Sequence, residues 1–249
     1  MTNIILSGCN GHMGCVVTAC ADAQPDISIV AGTDLDGVML SHFPVFTSLD
    51  ALHYEADVLI DFSHASALDG ILKYASDNKI ALVLCSTGYS AEQRLQIERA
   101  AAELPLFFSF NMSLGVSLLA ELCKKAAAVL EGFDVEIVEK HHNQKLDAPS
   151  GTAVMLAEAV NEGRAEPLNQ VYDRSQVRQK RTPDEIGMHS VRGGTIVGEH
   201  DIIFAGRDEI ITLSHSARSK EIFAVGALRA ARFMAGKPAG LYTMKDLID

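Results

Sequence analysis

The sequence predicts an α/β protein: a Rossmann-like domain with a doubly wound parallel sheet, followed by an α+β domain with a mixed sheet. Three observations lead to this fold class. Short apolar runs alternate with helix-like patterns through residues 1–112, a glycine-rich loop follows the first apolar run, and strand-like runs follow one another late in the chain. The first two features are typical of a parallel sheet that binds a dinucleotide.

The first domain is predicted to cover residues 1–112. Its predicted strands are 3–7, 27–33, 57–61, 80–85 and 106–108. Its predicted helices are one that follows the glycine loop and runs through about residue 23, and two at 66–78 and 91–103. Residues 36–56 show no clear periodicity and are expected to be irregular. Strands that alternate with helices predict a parallel sheet covered on both faces.

The second domain is predicted to cover residues 113–218, on a mixed or antiparallel sheet. Its predicted helices are 114–130 and 152–161, its predicted strands are 134–139, 189–191, 195–204 and 209–215, and 163–188 reads as a long loop. A final apolar-striped helix, 221–235, is expected to return to the first domain, which would then comprise 1–112 and 219–249.

Composition excludes several classes of function. The chain has 249 residues and a formal net charge of −11, so long-range repulsion argues against a nucleic-acid partner. No apolar run reaches the roughly 18–20 residues of a membrane span, and the N-terminus lacks the features of a signal peptide. The five cysteines form no CxxC pair and lie in apolar surroundings. They are interpreted as reduced thiols of a cytoplasmic protein.

The first glycine loop has the spacing G-x-x-G-x-x-G, formed by Gly8, Gly11 and Gly14. We expect Gly8 to turn the chain off the strand, Gly11 to let the backbone approach a pyrophosphate, and Gly14 to let the helix lie close to the sheet. Asp34 ends the second predicted strand, where a carboxylate can accept from a ribose diol. The phosphates would meet the helix N-terminus. An ordinary glycine turn is the alternative.

The residues around Asp34 bear on the choice between NADH and NADPH. An arginine usually follows this acid when a 2′-phosphate is bound, whereas Leu35 and Asp36 follow it here. No lysine or arginine precedes Lys73. Because a second carboxylate is unfavourable beside a dianionic phosphate, NADH is predicted as the preferred cofactor. NADPH remains possible if a basic residue folds in from elsewhere.

The residues best suited to catalysis and substrate binding lie together in segment 139–153, EKHHNQKLDAPSGTA. His141 is a workable acid near neutral pH, and Lys145 supplies fixed positive charge. Ser150 is a plausible N-cap for the following helix, whose first amides would then face an anion. These groups suit a small dicarboxylate whose ring is reduced.

This segment resembles the signature of the 4-hydroxy-tetrahydrodipicolinate reductase family, also called dihydrodipicolinate reductase. The family pattern is close to E-x-H-H-x-x-K-x-D-A-P-S-G-T-A, and every fixed position is matched. The resemblance extends over nearly the whole chain. It includes the glycine loop and the segments 61–63, 86–88, 111–116, 192–194 and 223–227.

The resemblance implies a role for each residue of the cluster. His141 would protonate the substrate after hydride arrives, and Lys145 would be a cationic donor beside it. His142 would contact a substrate carboxylate, while Ser150, Gly151 and Thr152 would hold a carboxylate at the helix start. The implied cofactor contacts are Gly8, Cys9, Asn10, Gly11, His12, Met13, Asp34, Cys85, Ser86, Thr87, Ser109, Phe110, Asn111 and Met112. A homotetramer assembled through the second domain is also implied.

The chain departs from the family pattern at several positions. His12 stands where an arginine is common, which strengthens the NADH prediction. The sequence Cys-Ser-Thr-Gly at 85–88 replaces the common Gly-Thr-Thr-Gly, and this leaves the details of nicotinamide contact open.

Other interpretations remain open. The His-His pair is either a surface feature or half of a metal site, but no third ligand stands at suitable spacing, so no metal is predicted. His189, His200 and His215 are expected to be structural, and Arg192 is either a loop arginine or a ligand of a substrate carboxylate. Another two-domain Rossmann dehydrogenase of amino-acid metabolism, or a non-catalytic nucleotide sensor, is the rival function.

Overall fold

The structure is a computed structural model that describes residues 1–248, and the chain divides into two compact units. The first unit comprises Met1–Leu114 together with the chain from Lys220 onward, and the second comprises Gly115–Ser219. Among the described residues, no helix has both the length and the apolar character needed to cross a membrane.

The regular elements within residues 1–248 are numbered in chain order. The strands are β1 (Thr2–Ser7), β2 (Ile27–Thr33), β3 (Val45–Phe46), β4 (Val58–Asp61), β5 (Ala81–Leu84), β6 (Pro105–Phe108), β7 (Asp134–His141), β8 (Asn169–Val171), β9 (Glu185–Arg192), β10 (Gly198–Ala205), β11 (Ile210–Ala217) and β12 (Gly240–Tyr242). The α-helices are α1 (His12–Asp22), α2 (Leu68–Asn78), α3 (Ala91–Ala100), α4 (Leu114–Val129), α5 (Gly151–Glu162) and α6 (Glu221–Met234).

The sheet of the first unit is parallel, in the order β12-β6-β5-β4-β1-β2-β3. The connections run outward in opposite directions from the neighbours β1 and β4. Ligands of such sheets bind in the crevice at the carboxyl ends of the strands where the order reverses. The predicted Rossmann-like fold is confirmed.

Side chains of β1 show how the sheet is covered on both faces. Ile4 and Leu6 pack into a core with α1 and α6, whereas Ile5 packs on the opposite face with α2 and α3. All three are fully buried, as expected for a central parallel strand. Helix α6 approaches so closely that a Cβ on Gly226 would lie 1.7 Å from the carbonyl oxygen of Met112.

The second unit has a mixed sheet in the order β11-β10-β7-β9-β8. Strand β9 pairs in parallel with β7 on one side and β8 on the other, whereas β10 runs antiparallel to β7 and β11. Helices α4 and α5 pack on the face that carries Val135, Ile137 and Phe204. The mixed sheet was therefore predicted correctly.

Three short strands were missed. β3 lies in a stretch expected to be irregular, β8 in the predicted loop, and β12 in the C-terminal tail. Each has only two or three residues. A period of two cannot be recognised over such lengths, because tertiary pairing rather than local pattern defines them.

Candidate functional site

The glycine loop joins β1 to α1 at the sheet's carboxyl edge. Gly8 has φ +75°, and a Cβ there would lie 2.8 Å from the Phe62 carbonyl carbon. A Cβ on Gly14 would lie 2.2 Å from the carbonyl oxygen of Gly8. Gly14 therefore lets the helix start pack on the loop's own backbone, whereas the sequence prediction placed the close contact at the sheet.

The backbone amides of the loop, from Gly8 to Gly11, are hydrogen-bonded within the first unit. The first two donate to Thr33 O at 2.8 and 3.2 Å, the third donates to an Asp34 carboxylate oxygen at 2.9 Å, and the fourth donates to Gly8 O at 3.2 Å. No side chain caps α1, which begins at His12. The amides of its first turn lack intrahelical acceptors, so they are the better candidates for holding phosphate.

Asp34, the acid at the end of β2, lies against this loop. One Asp34 oxygen accepts from the amide of Asn10, and the other accepts from the Leu35 amide at 2.7 Å. The Asn10 side chain donates to Asp36 at 3.0 Å and to the carbonyl of Val38 at 2.8 Å. Two carboxylates therefore lie beside the loop.

A cavity of about 660 Å³ extends from the glycine loop past Asp34. Its lining residues are Ser7, Gly8, Gly11, Thr33, Asp34, Leu35, Thr47, Ser48, Leu49, Asp50, Phe62, Ser63, His64, Ser66, Ala67, Gly70, Ile71 and Lys73. Lys73 is thus a basic residue that folds in from elsewhere. Its ammonium lies 2.5 Å from Asp77, one helical turn further along α2.

A second cavity, of about 310 Å³, also borders the glycine loop. Its lining residues are Gly11, His12, Met13, Phe62, Ser63, Cys85, Ser86, Thr87, Phe110, Met112 and Phe223. Fully buried Asp61 holds two of these lining residues, Ser63 and Ser86. One carboxylate oxygen of Asp61 accepts from Ser86 Oγ at 2.7 Å, and the other accepts from the Ser63 amide at 3.0 Å.

Four predicted cofactor contacts line neither cavity: Cys9, Asn10, Ser109 and Asn111. Cys9 belongs to the core, where burial raises the pKa of its thiol to about 11. Ser109 and Asn111 form a local turn, in which Ser109 Oγ donates to Asn111 O at 2.8 Å. These local contacts do not test the predicted cofactor contacts of the four residues, which stay a prediction.

In the second unit, one face of β7 changes along its length from apolar to ionisable. Val135 and Ile137 lie in the core, and Glu139 and His141 follow them on the same face at a period of two. The strand register then places Arg192 of β9 opposite His141. A polar cluster is therefore assembled at the end of the sheet, continuous with the core.

Glu139 is the centre of this cluster and is only 1% exposed. Arg192 donates to both of its oxygens, at 2.7 and 2.8 Å, and the Ser150 amide donates to one of them at 3.2 Å. The Nδ1 atom of His141 lies 2.5 Å from the other. Burial by itself raises the pKa of Glu139. Hydrogen bonds from Arg192, Ser190 and His141 together have the larger effect in the opposite direction, so the pKa falls to about 2.

The ring of His141 is mostly buried, and it meets the His200 ring edge-on with centroids 5.3 Å apart. Burial lowers the pKa of His141, and the nearby charges of Lys145 and Arg192 also lower it, although Glu139 opposes them. Burial holds the pKa of His200 at about 4. With its pKa lowered, the His141 ring is less often protonated near pH 7 in the free protein than an exposed histidine would be.

The loop after β7 carries the remaining residues of the cluster. The Lys145 ammonium lies 2.8 Å from Asp147, and the Lys145 amide donates to the carbonyl of half-buried His142 at 3.2 Å. Ser150 is the predicted N-cap, since its Oγ accepts from the amide of Ala153 at 3.2 Å.

Gly151 and Thr152 form the first turn of α5, where the helix dipole favours an anion. The predicted substrate residues thus lie along one continuous segment, from the end of β7 to the start of α5.

The pairing of two residues of this site was not predicted from the sequence. Glu139 was part of the motif without a function, and Arg192 was expected to bind a substrate carboxylate or lie in a solvated turn. The alternation Val135, Ile137, Glu139, His141 was an available signal for the first. Within residues 1–248, no group of histidines, cysteines and carboxylates has the arrangement needed to hold a metal ion.

Comparison with known proteins gives matches over both units. The family model described as "Dihydrodipicolinate reductase, N-terminus" matches residues 2–112, and "Dihydrodipicolinate reductase, C-terminus" matches residues 115–248. A 4-hydroxy-tetrahydrodipicolinate reductase of Caldanaerobacter subterraneus subsp. tengcongensis is 52% identical over 248 residues, which are 100% of this chain and 98% of the relative. One from Clostridium tetani is 46% identical, with the same coverage of both chains.

Solved structures of two enzymes also resemble this chain. The dipicolinate-bound dihydrodipicolinate reductase from Paenisporosarcina sp. TG-14 has a TM-score of 0.82 and 26% identity, covering 98% of this chain and 97% of that one. A diaminopimelate dehydrogenase of C. glutamicum has a TM-score of 0.56 and 15% identity, covering 98% of this chain and 92% of that one. The second comparison supports the fold alone.

Proposed function

Since the chain belongs to the dihydrodipicolinate reductase family, we propose that it is an NAD(P)H-dependent 4-hydroxy-tetrahydrodipicolinate reductase of diaminopimelate and lysine biosynthesis. The reaction takes the hydroxylated ring dicarboxylate, one hydride and one proton, and gives tetrahydrodipicolinate and water. The observation that carries the proposal is the segment His141–Thr152, in which an imidazole, an ammonium and a helix start follow one another.

On the substrate side, each group has a task that suits a dicarboxylate. Lys145 and the N-terminus of α5 bind carboxylate charge, the latter through Gly151 and Thr152. His142 contributes a further polar contact. His141 gives the proton that completes reduction of the ring.

The lowered pKa of His141 makes its protonation depend on the substrate. Two carboxylates brought close to the ring raise that pKa again, because opposite charge favours the imidazolium. Binding of the dicarboxylate thus makes His141 take up the proton that it later gives to the substrate.

The first unit suits a nicotinamide nucleotide, which supplies the hydride when bound. Gly14 brings the start of α1 against the loop, so the amides of the first turn face phosphate. The larger cavity, with Asp34, suits the adenosine end of the nucleotide. The smaller cavity, lined by Met13, Thr87 and Met112, suits the nicotinamide end.

NADH is the proposed preferred cofactor. Both oxygens of Asp34 are held by backbone amides, which keeps the carboxylate where a ribose diol binds. Lys73 is the one lysine or arginine among the lining residues of the larger cavity, and Asp77 pairs with it. Asp50 adds a further negative charge. A 2′-phosphate therefore meets more carboxylates than available cations, and the ratio of kcat/KM for NADH and NADPH tests this preference.

A homotetramer formed through the second unit is also proposed. Helices α4 and α5 pack on one face of the sheet, and the opposite face carries the half-buried Val138 and Ile203 with an ion-pair cluster. In that cluster Lys140 lies 3.1 Å from Glu199 and 3.2 Å from Asp201. Light scattering coupled to gel filtration measures the mass.

A cytoplasmic location stays a prediction.

The chemistry is tested by His141→Ala and Lys145→Ala, assayed by nucleotide oxidation with enzymatically generated dicarboxylate. Both variants are expected to lose activity while still binding nucleotide. Wild-type rates in both would contradict the proposal. The rival function as another Rossmann dehydrogenase, of the kind that forms a thioester on a cysteine, is not favoured. Burial raises the pKa of the Cys85 thiol well above its usual value and leaves it a poor nucleophile.

A further inference from the structure

We propose that Glu139, clamped by Arg192, is a positioning residue: it holds the proton of His141 on Nδ1 and so makes Nε2 the atom that transfers a proton to substrate. This inference rests on the proposed function, because it assigns the supporting groups of the same acid. The comparisons assign no role to either residue.

The hydrogen bonds of Glu139 determine which nitrogen of His141 carries the proton. Oε1 accepts from Arg192 Nη2 and from the Ser150 amide, and Oε2 accepts from Arg192 Nη1. An ionised carboxylate offers only acceptors. The contact of 2.5 Å between Oε2 and His141 Nδ1 therefore requires a proton on Nδ1. In the neutral ring, Nε2 is then the basic atom.

Arg192 has the geometry of a clamp. Its two terminal nitrogens grip both oxygens of Glu139, and Nη2 also donates to the Asp147 carbonyl at 2.6 Å. Parallel pairing of β7 with β9 places Arg192 opposite His141. One guanidinium therefore fixes the carboxylate and ties it to the loop that carries Lys145. A bidentate pair of this kind gives directional as well as electrostatic support.

Ionisable groups surround His141 from every packed element. They are Glu139 on β7, Arg192 on β9, His200 on β10, and Lys145 with Asp147 on the loop, while His215 on β11 acts on His200. Asp147 pairs with Lys145 at 2.8 Å. Glu139 is the carboxylate that is hydrogen-bonded directly to the ring. It is therefore the main group that stabilises the positive charge of the imidazolium.

The same carboxylate also explains how a buried ring can become an acid. Desolvation disfavours the imidazolium, and Glu139 opposes that effect through its hydrogen bond and its charge. A second positive ring nearby is unfavourable, and His200, with a pKa of about 4, stays neutral. Glu139 thus fixes the orientation of the acid and keeps its protonated form accessible.

The test is Glu139→Gln in the full-length enzyme, with Glu162→Gln as the matched control. Glu162 ends α5 in the same unit and pairs with Lys124 at 2.9 Å. In the Glu139 variant the new amide donates to Nδ1 and shifts the ring proton to Nε2. We expect kcat to fall on the order of 10²- to 10⁴-fold, as when a histidine loses its orienting carboxylate. The control keeps the wild-type rate.

Two further readouts separate positioning from a merely structural role. Activity requires protonated His141, so it declines as pH rises through the pKa of that group. Loss of the Glu139 charge moves this decline to lower pH. Nitrogen-15 NMR of the neutral ring is expected to show the proton on Nδ1 in the wild type. Arg192→Lys keeps the charge without the fork, and its expected kcat lies between those of wild type and Glu139→Gln.

The outcomes are distinguishable from failure of the proposed function. If Glu139→Gln keeps the wild-type kcat and pH profile while His141→Ala is inactive, the positioning role is wrong and the reductase assignment stands. If His141→Ala is also fully active, the assigned acid itself is wrong. Should Glu139→Gln fail to fold, the wild-type spectrum decides: a neutral ring protonated on Nε2 overturns the inference.

Discussion

Replacing Gly14 by alanine should weaken nucleotide binding through a displacement whose size follows from the structure. The added Cβ would lie 2.2 Å from Gly8 O, whereas Cβ atoms essentially never approach closer than 3.0 Å. Loop and helix start must therefore separate by about 0.8 Å, the difference between these two distances. Because both partners are backbone, no flexible side chain can absorb the shift.

Strain of this kind typically costs about 1–3 kcal/mol. At about 1.4 kcal/mol for each tenfold change, the Kd for NADH should rise on the order of 10- to 100-fold. Isothermal titration calorimetry with NADH measures it, and circular dichroism checks that the fold is retained. Ala19→Ser, which adds one atom to the exposed side of the same helix, is the control and should bind normally. A folded Gly14→Ala variant with unchanged Kd would refute the assignment of phosphate to the start of α1.

Three other predictions concern charge. Lys145→Met should raise KM for the dicarboxylate by at least about tenfold, since a charge-assisted bond to carboxylate is worth roughly 1.5–3 kcal/mol; steady-state kinetics at saturating NADH measure it. Binding of pyridine-2,6-dicarboxylate should raise the pKa of His141. The affinity of the protein for this ligand should therefore fall as the pH rises above the pKa of His141 in the free protein. Calorimetry in buffers of different ionisation enthalpy should detect proton uptake, and equal heats would contradict this. Asp77→Asn should release Lys73 and shift kcat/KM toward NADPH, and an unchanged ratio would show that this lysine does not reach the 2′ position.

The first unit could be predicted well because its signals are local. Apolar runs such as Ile4–Leu6 are buried on both faces of the sheet, and each is followed by a helix pattern. This alternation leaves few topologies, since parallel crossovers have a fixed hand. Asp34 could be placed because it directly follows a strand that ends beside the first one.

The supporting groups of the second unit could not be predicted in the same way. Glu139 and Arg192 are 53 residues apart, and a polar stretch separates their strands. Their pairing depends on the parallel register of β7 with β9, which no local pattern specifies. Lys73 likewise lines a cavity because α2 packs on the sheet, although its own neighbourhood resembles an exposed helix face.

The position of α6 has a consequence for how the chain folds during translation. This helix fills the core on one face of the first sheet, yet it is made after the whole second unit. A ribosome therefore releases β4 and β5 long before α6 exists, and the part of this face that α1 does not cover stays exposed while the second unit is translated. The first sheet can therefore be completed only once a helix made after the second unit has packed on it.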